Sequence, residues 1–96
     1  MDSDLTRELT LDGNAMGGLL FEIFGVEMTA AAGSCQGCGA VEAVGALLVH
    51  DRGPGTVARC PHCASVLLRV VRRTDALLVD LRGLRWLEVP FSPAAE

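Results

Sequence analysis

The chain contains no lysine; all eight of its basic residues are arginine. That removes the lysine a phosphate-binding P-loop requires, and "MGGLL" and "DRGPGT" also lack the spacing of such a loop. Aromatic residues are scarce, with only Phe21, Phe24, Trp86 and Phe91 among 96 residues. A core must then be assembled from Leu, Val and Ala, and a metal or a partner subunit would be a useful supplement in so small a chain. No apolar run approaches the roughly 18 residues of a membrane span, so no membrane association is expected. The opening "MDSDLTRELT" is acidic and polar, lacking the basic and apolar regions of a signal peptide. No Ser-His-Asp set or pair of carboxylates stands out, so the chain is not expected to be an enzyme. These absences predict one cytoplasmic domain over 1–96, in a compartment where thiols stay reduced.

What the sequence does have is four cysteines, in "CQGCG" and "RCPHC". Cys60-Pro-His-Cys63 matches the active-site motif of strongly oxidising thioredoxin-like proteins, and it is also how half of a metal site is written. A redox pair needs its first Cys at a helix N-terminus. Here "ASVLLRVVRR" follows, β-branched and alternating, which reads as a strand. Too little chain remains after Cys63 for the rest of a thioredoxin fold, and a redox pair leaves Cys35 and Cys38 unexplained.

The metal reading uses all four. Cys35, Cys38, Cys60 and Cys63 form C-x2-C-x21-C-x2-C, the pattern of two facing zinc knuckles. A two-residue spacer makes a tight turn that brings both sulfurs to one side, with backbone N–H groups aimed at the first thiolate. Gly39 supplies the backbone freedom such a turn favours; the second knuckle has Ala64 there, a mild departure. Four thiolates leave no open coordination position, so one structural Zn2+ is expected rather than a catalytic one. The "CPxC" knuckle also resembles rubredoxin, which makes iron the minor alternative. The scarcity of aromatics argues against it. His62, inside the second knuckle, is expected to face solvent, and His50 to be structural at a strand end.

Around the knuckles, Asp12 is a candidate N-cap and Gly25 a candidate C-terminal glycine for a helix over 13–25. Ala15, Met16, Leu19, Leu20 and Ile23 recur at helical spacing, with Phe21 and Phe24 broadening the stripe. Gly17-Gly18 costs such a helix about 1 kcal/mol per glycine, which suggests a close approach there or a helix that starts only after the pair. Residues 1–12 read as a polar N-terminal segment, 30–91 as a zinc ribbon with a β meander, and 92–96 as a tail. "AVEAVGALLVH" reads as one strand and "DRGPG" as a turn. "SVLLRVVRR", "ALLVDLRG" and "LRWLEVPF" read as consecutive strands of the meander. The fold class is thus a small, mostly-β zinc ribbon with two knuckles plus one N-terminal α-helix.

"LDGNA", "CQGCGA", "RCPHC", "LLRVVR" and "VDLRG" together resemble a family of short actinobacterial zinc-ribbon proteins of uncharacterised function, from about Leu11 to about Leu87. The resemblance implies a zinc ribbon carrying an N-terminal helix and brings no activity with it.

Zinc ribbons commonly bind other proteins, so a protein-interaction module is the leading expectation. The apolar helix, whose single charge is Glu22, either covers the ribbon as core or forms a homodimer face. Nucleic acid is the alternative partner. Residues 1–50 carry seven carboxylates and one Arg, a balance of −6, whereas residues 51–96 carry seven Arg and five carboxylates, a balance of +2. The overall acidity opposes binding to a polyanion. An Arg–aromatic surface of Arg69, Arg73, Arg82, Arg85 and Trp86 is the one place where single-stranded bases could stack.

Overall fold

A computed structural model describes residues 11–52 and 55–91. Most of the expected N-terminal segment, the 92–96 tail and the Gly53-Pro54 part of the expected turn lie outside the described residues. No helix among the described residues is long and apolar enough to cross a membrane.

The helical region begins where Asp12 turns its carboxylate back on the chain, accepting a hydrogen bond from the Asn14 N–H at 3.1 Å. One 3-10 turn, Gly13–Met16, then leads into helix α1, Gly17–Phe24. Gly25 ends α1 in the left-handed conformation, φ 77°, with its N–H bonded to the Phe21 carbonyl at 2.8 Å. The single α-helix therefore starts at the glycine pair, and the first four residues of the expected 13–25 span are a 3-10 turn. The tight first turn has a tertiary cause, because Gly13 lies against the backbone of Val44 and Gly45, and a Cβ there would overlap the Val44 carbonyl oxygen. Gly18, by contrast, faces open space, and α1 starts at the glycine pair.

The strands are β1 Leu11–Asp12, β2 Ala32–Cys35, β3 Val41–Ala43, β4 Leu48–Arg52, β5 Gly55–Arg59, β6 Val66–Arg72, β7 Leu77–Asp80 and β8 Leu84–Leu87. They form two antiparallel sheets, one of five strands in the order β1-β4-β5-β6-β7 and one of three in the order β3-β2-β8. The meander is real over β4 to β7. Two expectations are corrected. "AVEAVGALLVH" is split by a 3-10 turn at Val44–Ala46, so β3 and β4 join different sheets. Val44 is buried at that turn, and the Gly45 N–H bonds the Thr29 carbonyl at 2.8 Å, which holds the chain out of a straight strand. Strand β8, expected to extend the meander, crosses instead to pair with β2.

The crossing is made by "VDLRG". Asp80 accepts from Arg82 in a bidentate pair, with Arg82 Nη2 at 2.7 Å and Nε at 3.1 Å, and also from the Arg82 N–H at 3.0 Å. These bonds pull the Asp80 carboxyl down to about 2, the Arg82 side chain first and its backbone N–H next. Gly83 then passes so close to β6 that a Cβ would overlap the Val66 carbonyl oxygen. Its N–H bonds the Leu67 carbonyl at 3.1 Å. Beyond the turn, Leu84 and Leu87 pack onto Gly33 of β2, where a Cβ would come within 3.1 Å of a Leu84 methyl.

The core lies between these layers. Met16, Leu20, Met28, Val44, Val49, Ala58, Leu68 and Val70 are buried, and Cys35 and Cys60 belong to the same cluster. Each large aliphatic side chain buried there contributes about 2 kcal/mol. Helix α1 directs Leu20 into the core, with Leu19, Ile23 and Phe24 packed against it. Phe21 remains half exposed, and Glu22 pairs with Arg72 of β6 at 3.3 Å on the outside. Most of the apolar stripe is thus satisfied within one chain.

Candidate metal centre

Both knuckles fold as the same backbone turn. In the first, the Cys35 N–H bonds the Ala40 carbonyl at 2.9 Å, and the Gly39 N–H bonds the Cys35 carbonyl at 2.8 Å. In the second, the Cys60 N–H bonds the Ser65 carbonyl at 2.9 Å, and the Ala64 N–H bonds the Cys60 carbonyl at 2.8 Å. Each turn needs one left-handed residue, Gly39 at φ 79° and Ala64 at φ 66°. For Gly39 this is inexpensive; for Ala64 it costs about 1–2 kcal/mol.

The turns bring all four sulfurs together, every Sγ lying within 4.8 Å of every other. Cys35 and Cys63 approach to 3.6 Å, Cys38 and Cys60 to 3.7 Å. A tetrahedron with 2.3 Å metal–sulfur bonds has an edge of about 3.8 Å, so the set can hold a metal ion with little adjustment. Cys35 and Cys60 are buried, while Cys38 and Cys63 are exposed.

Backbone donors complete the setting. The Gly37 and Cys38 N–H groups point at the Cys35 sulfur from 3.3 and 3.4 Å, and the His62 N–H at the Cys60 sulfur from 3.4 Å. The Ser65 hydroxyl lies 3.2 Å from Cys63 Sγ. The Ser65 side chain, and then its N–H, pull the Cys63 thiol down to about 6. Cys38 moves the other way, up to about 11. The Ala40 N–H favours its thiolate but is outweighed by desolvation and by hydrogen bonds with Cys60, Cys35 and Cys63. Four thiolates this close repel one another strongly, so without a cation the cluster must keep protons. A dication that replaces those protons removes the conflict, and its binding is linked to folding.

Residues 6–92 match the model of DUF6510, a family of unknown function. The chain belongs to DUF6510. No curated protein and no solved structure matches it. The span shared with the family includes "LDGNA" and "VDLRG", which this structure explains as close backbone approaches at Gly13 and Gly83 and as the Asp12 and Asp80 turns.

In this DUF6510 member the arginines singled out with Trp86 lie on two sheets. Arg69 and Arg82 both turn toward Asp80, at 3.9 and 2.7 Å. Arg72 is taken by Glu22, and Arg73 lies past the end of β6. Arg85 and Trp86 sit on β8 in the other sheet, exposed. His62 points outward, and its Nε2 meets Glu42 Oε2 at 2.6 Å, tying the second knuckle to β3. His50 lies on β4 opposite Val57. Sequence reasoning missed three supports of the site. Arg59 donates to the Ala64 carbonyl at 2.9 Å, Ser65 stands beside Cys63, and the Gly83 carbonyl accepts from the Gln36 N–H at 2.8 Å. Ser65, two residues beyond Cys63, carried a local signal; Gly83, far from the first knuckle in sequence, did not.

Proposed function

We propose that this chain is a structural zinc ribbon that serves as a protein-interaction module in the cytoplasm. The close set of four sulfurs carries the metal part of the reading. Two of the four sit in the hydrophobic core, so an ion there would fasten both sheets from within. A four-thiolate shell has no open position for substrate, which supports a structural role and not an enzymatic one. The space lined by Val44, Leu47, Leu67, Leu84 and Leu87 beside the sulfurs amounts to about 10 Å³, too little for a substrate. The scarcity of aromatics favours zinc over rubredoxin-like iron.

The interaction part is supported by the small sheet. Val41 and Trp86 stand directly across Ser34 on β3 and β8, and are 54% and 46% exposed. An apolar pair on one open face suits a protein partner. Nucleic acid is the weaker reading, because Arg69, Arg72 and Arg82 each face a carboxylate.

Elemental analysis of protein purified from cytosol without added metal, with thiol titration beside it, tests the proposal. One zinc per chain and no reactive thiols before denaturation is the expected result. Iron with red colour would replace zinc by an electron carrier, and a metal-free disulfide form would overturn the structural site.

A further inference from the structure

The knuckles place each exposed cysteine of the cluster against a buried one from the other knuckle. Cys63, exposed, contacts Cys35 at 3.6 Å; Cys38, exposed, contacts Cys60 at 3.7 Å. The exposed residue of each pair is the one a small oxidant meets first, and the sulfur of the buried residue is already placed to displace what the oxidant leaves behind. We infer that the open side of the cluster is a peroxide-modification site, at which oxidation joins the knuckles through Cys35–Cys63 and Cys38–Cys60 disulfides and expels the metal.

The chemistry balances with hydrogen peroxide as the only co-reactant. The Cys63 thiolate attacks the peroxide O–O bond, forming an S–O bond and releasing hydroxide, which leaves a sulfenic acid. The Cys35 thiolate then attacks that sulfur, forming the S–S bond and releasing a second hydroxide. Two electrons pass from the sulfur pair to the peroxide oxygens, and Cys38 with Cys60 repeats the sequence. Two peroxides are consumed per chain. Each pair needs only to close from its present contact to about 2 Å.

The pairing decides the outcome for the fold. Disulfides inside each knuckle, Cys35–Cys38 and Cys60–Cys63, would leave β2 and the β5–β6 turn unconnected once the metal is gone. Cross-knuckle bonds keep the two sides of the core joined across 28 and 22 residues of chain. The oxidised chain therefore stays folded without metal, and the site works as a two-state clamp, ionic when reduced and covalent when oxidised. The expulsion of an ion and the thiolate form of Cys38 rest on the zinc-ribbon reading; the pairing is argued from the two cross-knuckle sulfur contacts.

The test uses the whole chain, with its metal content measured first so that failure of the metal reading is seen separately. After hydrogen peroxide, acid quench and alkylation, trypsin places Cys35 and Cys38 in the 8–52 peptide and Cys60 and Cys63 in the 60–69 peptide, because arginines supply every cut. The expected product is one linked species, four hydrogens lighter than the two reduced peptides together, with fragmentation assigning Cys35–Cys63 and Cys38–Cys60. Its thermal unfolding remains cooperative in excess chelator, whereas the reduced protein in chelator loses its transition. Separate peptides with internal disulfides, sulfinic or sulfonic products, or thiols untouched by peroxide that oxidises glutathione would each overturn the inference. So would a linked chain that has lost cooperative unfolding.

Discussion

The two knuckles make the same turn by different means. The first relies mainly on backbone, with one side-chain bond, from Ser34 Oγ to the Gly39 carbonyl at 3.4 Å. Gly39 takes φ 79° without a side chain to resist, two N–H groups face the Cys35 sulfur, and Gly83 backs the turn through the Gln36 N–H. The second is made of side chains and strain. Ala64 holds φ 66°, one N–H faces the Cys60 sulfur, the Arg59 guanidinium grips the Ala64 carbonyl, and Ser65 stands by Cys63. A metal-binding turn can therefore be specified by glycine, or imposed on a residue that resists it when neighbours supply the missing stabilisation.

Removing a ligand should erase the difference between the knuckles. Cys35→Ser and Cys60→Ser are each expected to lose the metal and the cooperative melt together, because metal binding and folding are linked at such sites. Elemental analysis and circular dichroism check this; a variant keeping both would refute the four-ligand assignment. Next in size is Gly83→Ala. Its Cβ would overlap the Val66 carbonyl oxygen, so the first knuckle loses its backing at an expected cost of about 3 kcal/mol in chemical denaturation. A cost under about 1 kcal/mol would mean β8 moves aside freely.

The glycine contrast itself is sharpened by exchanging the left-handed residues. Gly39→Ala should destabilise the metal-loaded protein by about 1 kcal/mol. Ala64→Gly should stabilise it by about half that, since relief of strain is partly offset by the added freedom of the unfolded chain. A destabilised Ala64→Gly protein would show that Ala64 is not strained. The smallest effect is a coupling. Arg59→Ala should cost about 1 kcal/mol with Ala64 present and less in the Ala64→Gly background, measured as a double-mutant cycle. Equal costs would separate the Arg59 bond from the strain it is argued to support.

Much of this was legible in local sequence. The x2 spacings bring sulfurs to one side of a turn, the Asp12 cap and the Gly25 stop act within a few residues, and alternation marks β6. These signals are short-range, so a sequence displays them directly. The 3-10 turn before the helix was not foreseen and "AVEAVGALLVH" was expected as one strand, because the contact behind both lies between them. Gly13 and the Val44–Ala46 turn press together, and neither residue pattern names the other. Likewise β8 continues the meander by pattern, and leaves it because Gly83 can pass against β6 where another residue could not.

The arginines show the same limit. Spacing alone grouped Arg69, Arg82, Arg85 and Trp86; in the fold Arg69 and Arg82 pair with Asp80, while Arg85 and Trp86 lie on a strand of the other sheet. By itself the sequence determined the ligand types, the turns that present them, the mostly-β class and the capped N-terminal helix, because each depends on neighbours a few residues apart. The tertiary structure alone decided which sheet each strand joins, which sulfurs are buried, and which sulfur meets which across the knuckles. Those depend on backbone surfaces fitting against each other over long stretches of chain, where a glycine is informative only once its neighbour in space is known.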